Sequence, residues 1–117
     1  MYFPEKKSKD DKEMFDEVVK TILKLLGDDV VKIILYGSVA RGDNTWESDV
    51  DIAVLTRRKI DEFEEDKFDR TFSKLDLKHD TLFSIKMIEE NYFNIWKSAI
   101  SLYGNIEKEG IILWTKE

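Results

Sequence analysis

The chain has 117 residues, with 25 Asp and Glu against 19 Lys and Arg, a formal charge of −6 and no cysteine. That length supports one hydrophobic core without room for a separate substrate domain, so residues 1–117 are expected to form a single domain. The missing cysteine excludes disulfides, thiolate zinc sites and thiol catalysis, and the acidic balance argues against nucleic acid as the main partner, because binding to phosphates draws on Lys and Arg.

Ser8 or Asp10 is placed to cap a first helix, in which Met14, Val18, Ile22 and Leu26, flanked by Phe15, Val19 and Leu23, form one stripe; Gly27 stops it. Val30–Tyr36, VVKIILY, is β-branched and apolar enough for a buried strand, and residues 38–41 follow as the first turn of a helix. A polar loop, 43–48, carries Trp46 and leads into a second strand, Val50–Thr56. Residues 61 to about 75 read as a helix turning Phe63, Phe68, Phe72 and Leu75 inward, and residues 79–87 as a third strand.

Tyr92, Trp96, Ala99 and Tyr103 then recur about once per helical turn, with Phe93, Ile95 and Ile100 beside them and Gly104 as the stop. Such a stripe either packs on the sheet or leaves aromatic rings for a partner. Residues 111–114, after Gly110, predict a short edge strand or a surface for a second subunit, so a homo-oligomer is compatible with the sequence. Helices and strands alternate without repeats or linkers. The expected class is α/β, a small mixed sheet flanked by helices. No apolar run is long enough to cross a membrane and the start does not read as a secretory leader, so a cytoplasmic, soluble chain is expected.

The chemistry concentrates in GSVARGDNTWESDVDIAV, residues 37–54. Side chains two apart on a strand share a face, so Asp49 and Asp51 set two carboxylates about 6.5 to 7 Å apart at their Cα atoms. That pair suits a hard cation such as Mg²⁺, with Mn²⁺ as a substitute, held by one or two carboxylates plus the phosphates of a nucleoside triphosphate. Gly37 removes a side chain where backbone can approach a phosphate, and the Ser38 hydroxyl and nearby N–H groups can donate to its oxygens. Neither a Walker loop nor a dinucleotide-binding glycine motif is present.

Gly37-Ser38, a ten-residue gap and Asp49-x-Asp51, with Ala40-Arg41-Gly42 and Ser48 between, closely resemble the nucleotidyltransferase superfamily that includes DNA polymerase beta. The short length resembles the minimal nucleotidyltransferases (MNT), often the antitoxin half of a pair with a helical HEPN ribonuclease toxin. The resemblance implies transfer of AMP from ATP, with Mg²⁺, to a hydroxyl of a helical HEPN-type partner, a tyrosine in the antitoxin family. It also implies a third carboxylate near Asp49 and Asp51 that would help deprotonate the acceptor. Asp80, at the start of the expected third strand, is the choice, with Asp76 as rival; the catalytic and metal set is then Asp49, Asp51 and Asp80, and the nucleotide-binding pair Gly37 and Ser38.

Arg41 is open between a site role and an ion pair with Asp43 or another acid. Ser48 is read as a loop-fixing hydrogen-bond partner, and His79, the only histidine, as structural. Two other functions stay open: a binding module that neutralises its partner by contact alone, and a small-molecule nucleotidyltransferase whose helical partner subunit supplies the acceptor site.

Overall fold

A four-stranded sheet organises residues 11–117, the part of the chain that the computed structural model describes. Its strands are β1 (Val30–Tyr36), β2 (Val50–Thr56), β3 (Phe83–Glu89) and β4 (Ile111–Thr115), in the order β3-β2-β1-β4. β1 runs antiparallel to β2 and β4, whereas β2 and β3 are parallel, so the sheet is mixed as expected. Parallel neighbours need a long crossover, and α3 (Glu62–His79) supplies it.

One face of the sheet is covered by α1 (Lys12–Leu26) and α3. The predicted stripe of α1, Met14, Val18, Ile22 and Leu26, is buried with Phe68, Phe72 and Leu75 against Val30, Ile33, Leu35, Val50, Ile52 and Val54. Each such side chain contributes about 1.5 to 3 kcal/mol when removed from water, which makes this layer the main source of stability. Gly27 ends α1 as expected, with φ +55° and its N–H donating to the Leu23 carbonyl. The candidate caps Ser8 and Asp10 lie outside the described residues.

Helix α3 opens on a capping box in which Asp61 accepts from the Glu64 N–H at 2.8 Å and the Glu64 carboxylate reaches back to the Asp61 N–H. Phe63 does not turn inward as expected but is exposed. It lies five residues before Phe68, which rotates it about 140° away around a helix of 3.6 residues per turn. The third strand also begins later than expected. α3 continues to His79, Asp80 takes a left-handed conformation with φ +47°, and β3 starts only at Phe83. The Asp76 carboxylate accepts from the Phe83 N–H at 3.0 Å and its carbonyl from the Thr81 N–H at 3.1 Å, so this residue ties the helix end to the strand start.

The opposite face carries α4 (Glu90–Trp96) and α5 (Ser101–Glu109), where a single helix was expected. The Ala99 and Ile100 N–H groups both turn back to the Trp96 carbonyl, and Ile100 is extended. Gly104 consequently sits inside α5 rather than ending a helix, and Gly110 terminates it with its N–H on the Ile106 carbonyl. Phe93 and Ile106 pack on Ile34, Ala53, Leu55 and Ile88, while Tyr92, Ile95 and Trp96 are exposed. β4 then pairs with β1 as an edge strand, one of the two roles expected for it. No helix among the described residues is long and apolar enough to cross a membrane.

Candidate active site

β1 ends where the next chemistry begins. Its last residue, Tyr36, is the register partner of Asp51, and the short helix α2 (Gly37–Arg41) leaves the sheet immediately afterwards. Gly37 has φ +76°, which favours glycine. A β-carbon there would overlap Asp51 Oδ2 and stand 3.2 Å from Asp51 Cγ, so the missing side chain is what lets the carboxylate lie against this turn. Gly42 closes α2 in the left-handed region, its N–H donating to the Ser38 carbonyl at 2.9 Å; the Asp43 N–H joins the same acceptor at 3.1 Å.

Val50, Ile52 and Val54 belong to the core under α1 and α3, whereas Ala53 and Leu55 belong to the core under α4 and α5. Strand alternation therefore places Asp51 on the α4 and α5 side. Asp49 precedes β2 by one residue and is exposed. Burial first, and then the negative charge of Asp49, push the Asp51 carboxyl above the usual carboxylate range; the positive charges of Lys86 and Arg41 offset this only partly. Tyr36 is pushed up to about 12 by burial and by the charge of Asp51. A partly buried acid whose charge its acidic neighbour disfavours forms an arrangement that a divalent cation relieves. Such a pair, with phosphates completing the shell, fits Mg²⁺.

Gly37, followed by Ser38, and Asp51, preceded by Asp49, thus meet at the end of β1 and the start of β2. Asp80 is exposed at the C-terminal end of α3, three residues before β3 begins, and among the described residues no group of three His, Cys, Asp or Glu could hold a metal ion. The expectation of a third acid at Asp80 assumed that β3 began at residue 79; the longer α3 removes that premise. In the parallel register it is Ser84 that lies beside Asp51 and Lys86 beside Ala53. Sequence reasoning missed both, since only the strand register identifies them.

Arg41 pairs with Asp43 and with Glu109 of α5, each at 3.1 Å, and both acids hold the guanidinium in its charged form. Ser48 Oγ accepts from the Thr45 N–H at 2.9 Å and shapes the loop before Asp49. His79 Nε2 lies 2.7 Å from Glu17 Oε1, and its ring meets the edge or face of Phe83 at 6.1 Å, so it joins α3 to α1.

A family model described as "Polymerase beta, Nucleotidyltransferase" matches residues 17–117. Two Methanocaldococcus jannaschii chains named as protein adenylyltransferases are similar in sequence. The first is 39% identical over 92 residues, 79% of this chain and 93% of the relative, and the second 35% identical over 85 residues, 73% and 79% respectively. Among solved structures, the fold is similar to a chain in a complex of a tri-AMPylated Shewanella oneidensis HEPN toxin with its MNT antitoxin. The TM-score is 0.57 at 19% identity, over 90% of this chain and 72% of that one. A toxin–antitoxin structure with AMP-PNP gives a TM-score of 0.60 at 22% identity, over 88% and 74%.

Proposed function

The chain belongs to the polymerase beta nucleotidyltransferase family, and we propose that it transfers AMP from ATP to a hydroxyl on a partner protein. The acceptor oxygen bonds to the α-phosphorus, the bond from that phosphorus to the bridging oxygen of the β-phosphate breaks, pyrophosphate leaves and the acceptor proton passes to solvent. The observation that carries the reading is the placement of Asp51 beside the side-chain-free turn at Gly37, with Asp49 close enough to act on its charge. Asp49 and Asp51 are the residues that would hold Mg²⁺ or Mn²⁺, and the bound ion would neutralise charge on the triphosphate.

Gly37 would let the triphosphate approach backbone closely, and the Ser38 hydroxyl would donate to it. Rate then comes mostly from positioning and charge neutralisation, as in other phosphoryl transfers. The adenylyl group is supported by the names of the Methanocaldococcus relatives. A helical HEPN-type toxin as acceptor is supported by the motif resemblance and by the fold shared with antitoxins solved in such complexes. A cytoplasmic location belongs to the same proposal, since the reaction consumes ATP.

The test is mass spectrometry of a co-expressed cognate partner for added AMP, with the Asp49→Asn/Asp51→Asn double variant as control. Added AMP with the wild type and none with the variant supports transfer. The lack, among the described residues, of a group of three acids that could hold a metal ion favours one other reading, a contact-only module with a weak site. Full neutralisation of the partner by the double variant, without added AMP in either case, would select that reading.

A further inference from the structure

The sheet face that bears Asp51 continues onto β3, and what it presents there decides how many cations the site can hold. Phe83, Ile85 and Met87 join the core under α1 and α3, whereas Ile88 joins the core under α4 and α5. By alternation Ser84 and Lys86 lie on the Asp51 side. Parallel register sets Ser84 directly beside Asp51, and Lys86 one step further along that face, beside Ala53. The neighbour of Asp51 is therefore a hydroxyl, and the next residue is an exposed ammonium close enough to act on the Asp51 carboxylate.

Two divalent ions bound side by side repel with about four times the energy of two unit charges at the same separation, and a two-ion site offsets this with several carboxylates. Here Asp49 and Asp51 are the acids brought together, no group of three that could hold a metal ion is found among the described residues, and Lys86 adds positive charge on the same face. We propose that the site takes a single divalent cation with its nucleotide, and that Lys86 supplies, as a fixed ammonium, the positive charge on the β3 side where a second cation would stand. The proposal rests on Asp49 and Asp51 being the cation site of the reading above. It assigns Lys86 a positioning role toward the negatively charged reacting groups, with Ser84 as the residue that leaves the second ion without a ligand.

The experiment counts ions directly. Mn²⁺ is titrated into the full chain saturated with α,β-methylene ATP, which cannot be cleaved between its α and β phosphorus atoms, and free Mn²⁺ is followed by electron paramagnetic resonance. One tightly bound Mn²⁺ per complex is expected; two would overturn the proposal. Ser84→Asp should raise the count to two, and a count that stays at one would overturn the role given to Ser84. Lys86→Met should keep the count at one and tighten Mn²⁺ about 3- to 10-fold, because a nearby positive charge is gone; unchanged affinity would overturn the role of Lys86. Should Ser84→Asp fail to fold, the wild-type count and Lys86→Met still decide. Asp49→Asn/Asp51→Asn separates the two levels: if it binds Mn²⁺ and nucleotide as tightly as the wild type, the site reading itself fails, whatever the count.

Discussion

Gly37 and Asp51 meet across a gap that admits only a hydrogen: a β-carbon at Gly37 would overlap Asp51 Oδ2 and lie 3.3 Å from Asp51 Cβ. The turn that opens α2 and the carboxylate of Asp51 thus lie against each other through one contact.

The first prediction follows from that contact and uses Gly42 as its control. Gly37 and Gly42 both have positive φ, +76° and +83°, so an alanine at either costs about 1 to 2 kcal/mol of backbone strain. A β-carbon at Gly42 meets nothing within 4 Å, whereas one at Gly37 displaces Asp51. Both variants should melt below the wild type, and only Gly37→Ala should lose transfer, by about 100-fold or more. Thermal melts and single-turnover transfer of labelled nucleotide check this. Equal transfer by the two variants would remove the Gly37–Asp51 contact from the mechanism.

Asp51 also gives the fold a pH signature. Its carboxyl is held above the ordinary value by burial and then by Asp49, so the native state binds this proton more tightly than the unfolded chain. Stability from this group therefore falls as pH rises from about 3.9, the unfolded value, through the raised native value, and the penalty is complete above it. Asp29, Glu17 and Glu64 act in the opposite sense: Arg57, Lys78 and Arg58 respectively hold them low, and the stability they add is lost as pH falls below the ordinary carboxylate range. The difference between Asp51→Asn and wild type isolates the first effect. The variant should melt higher at neutral pH, the gap should close toward about pH 4, and transfer should be lost. A gap that does not depend on pH would refute the assignment.

Cation and nucleotide should bind together. Two acids with no bound ion repel a triphosphate, so ATP should bind at least about tenfold more tightly with Mg²⁺ or Mn²⁺ than with EDTA. Calorimetry under the two conditions measures the ratio, and equal affinity would sink the metal-bridged site.

The parts of this fold that were legible in the sequence are those in which an apolar run directly adjoins its polar motif. VVKIILY leads into Gly37-Ser38, and Asp49-x-Asp51 leads into VDIAVLT, so strand ends and site residues came together. β3 was misplaced because no change of hydrophobic period separates it from α3. The boundary is set by the Asp76 carboxylate on the Phe83 N–H and the left-handed Asp80, interactions that periodicity does not encode. The break between α4 and α5 was hidden for a related reason. Tyr92 and Tyr103 share the expected stripe, yet they meet from two helices with ring centroids 6.1 Å apart. Ser84 and Lys86 became visible only once the register of β2 with β3 was known.

The last prediction inverts the roles first expected of the two acids at the end of α3. Asp76 makes a part-buried hydrogen bond to the Phe83 N–H at 3.0 Å, and that bond fixes where β3 starts and hence which residues stand beside Asp51. Asp76→Ala leaves that N–H without its partner and should cost about 1 to 3 kcal/mol. Asp80 is an exposed, non-glycine residue at φ +47°. Asp80→Gly relieves its backbone strain and should hold or raise the melting temperature. Since no group of three acids among the described residues could hold a metal ion, Asp80→Gly and Asp80→Asn should both transfer nucleotide at close to the wild-type rate. Asp76→Ala should lose transfer only in proportion to the fraction unfolded, or to a shifted β3. Chemical denaturation of the three variants, followed by single-turnover transfer at a temperature where each is folded, separates stability from chemistry. An Asp80→Asn variant that is fully folded and inactive would restore Asp80 to the site.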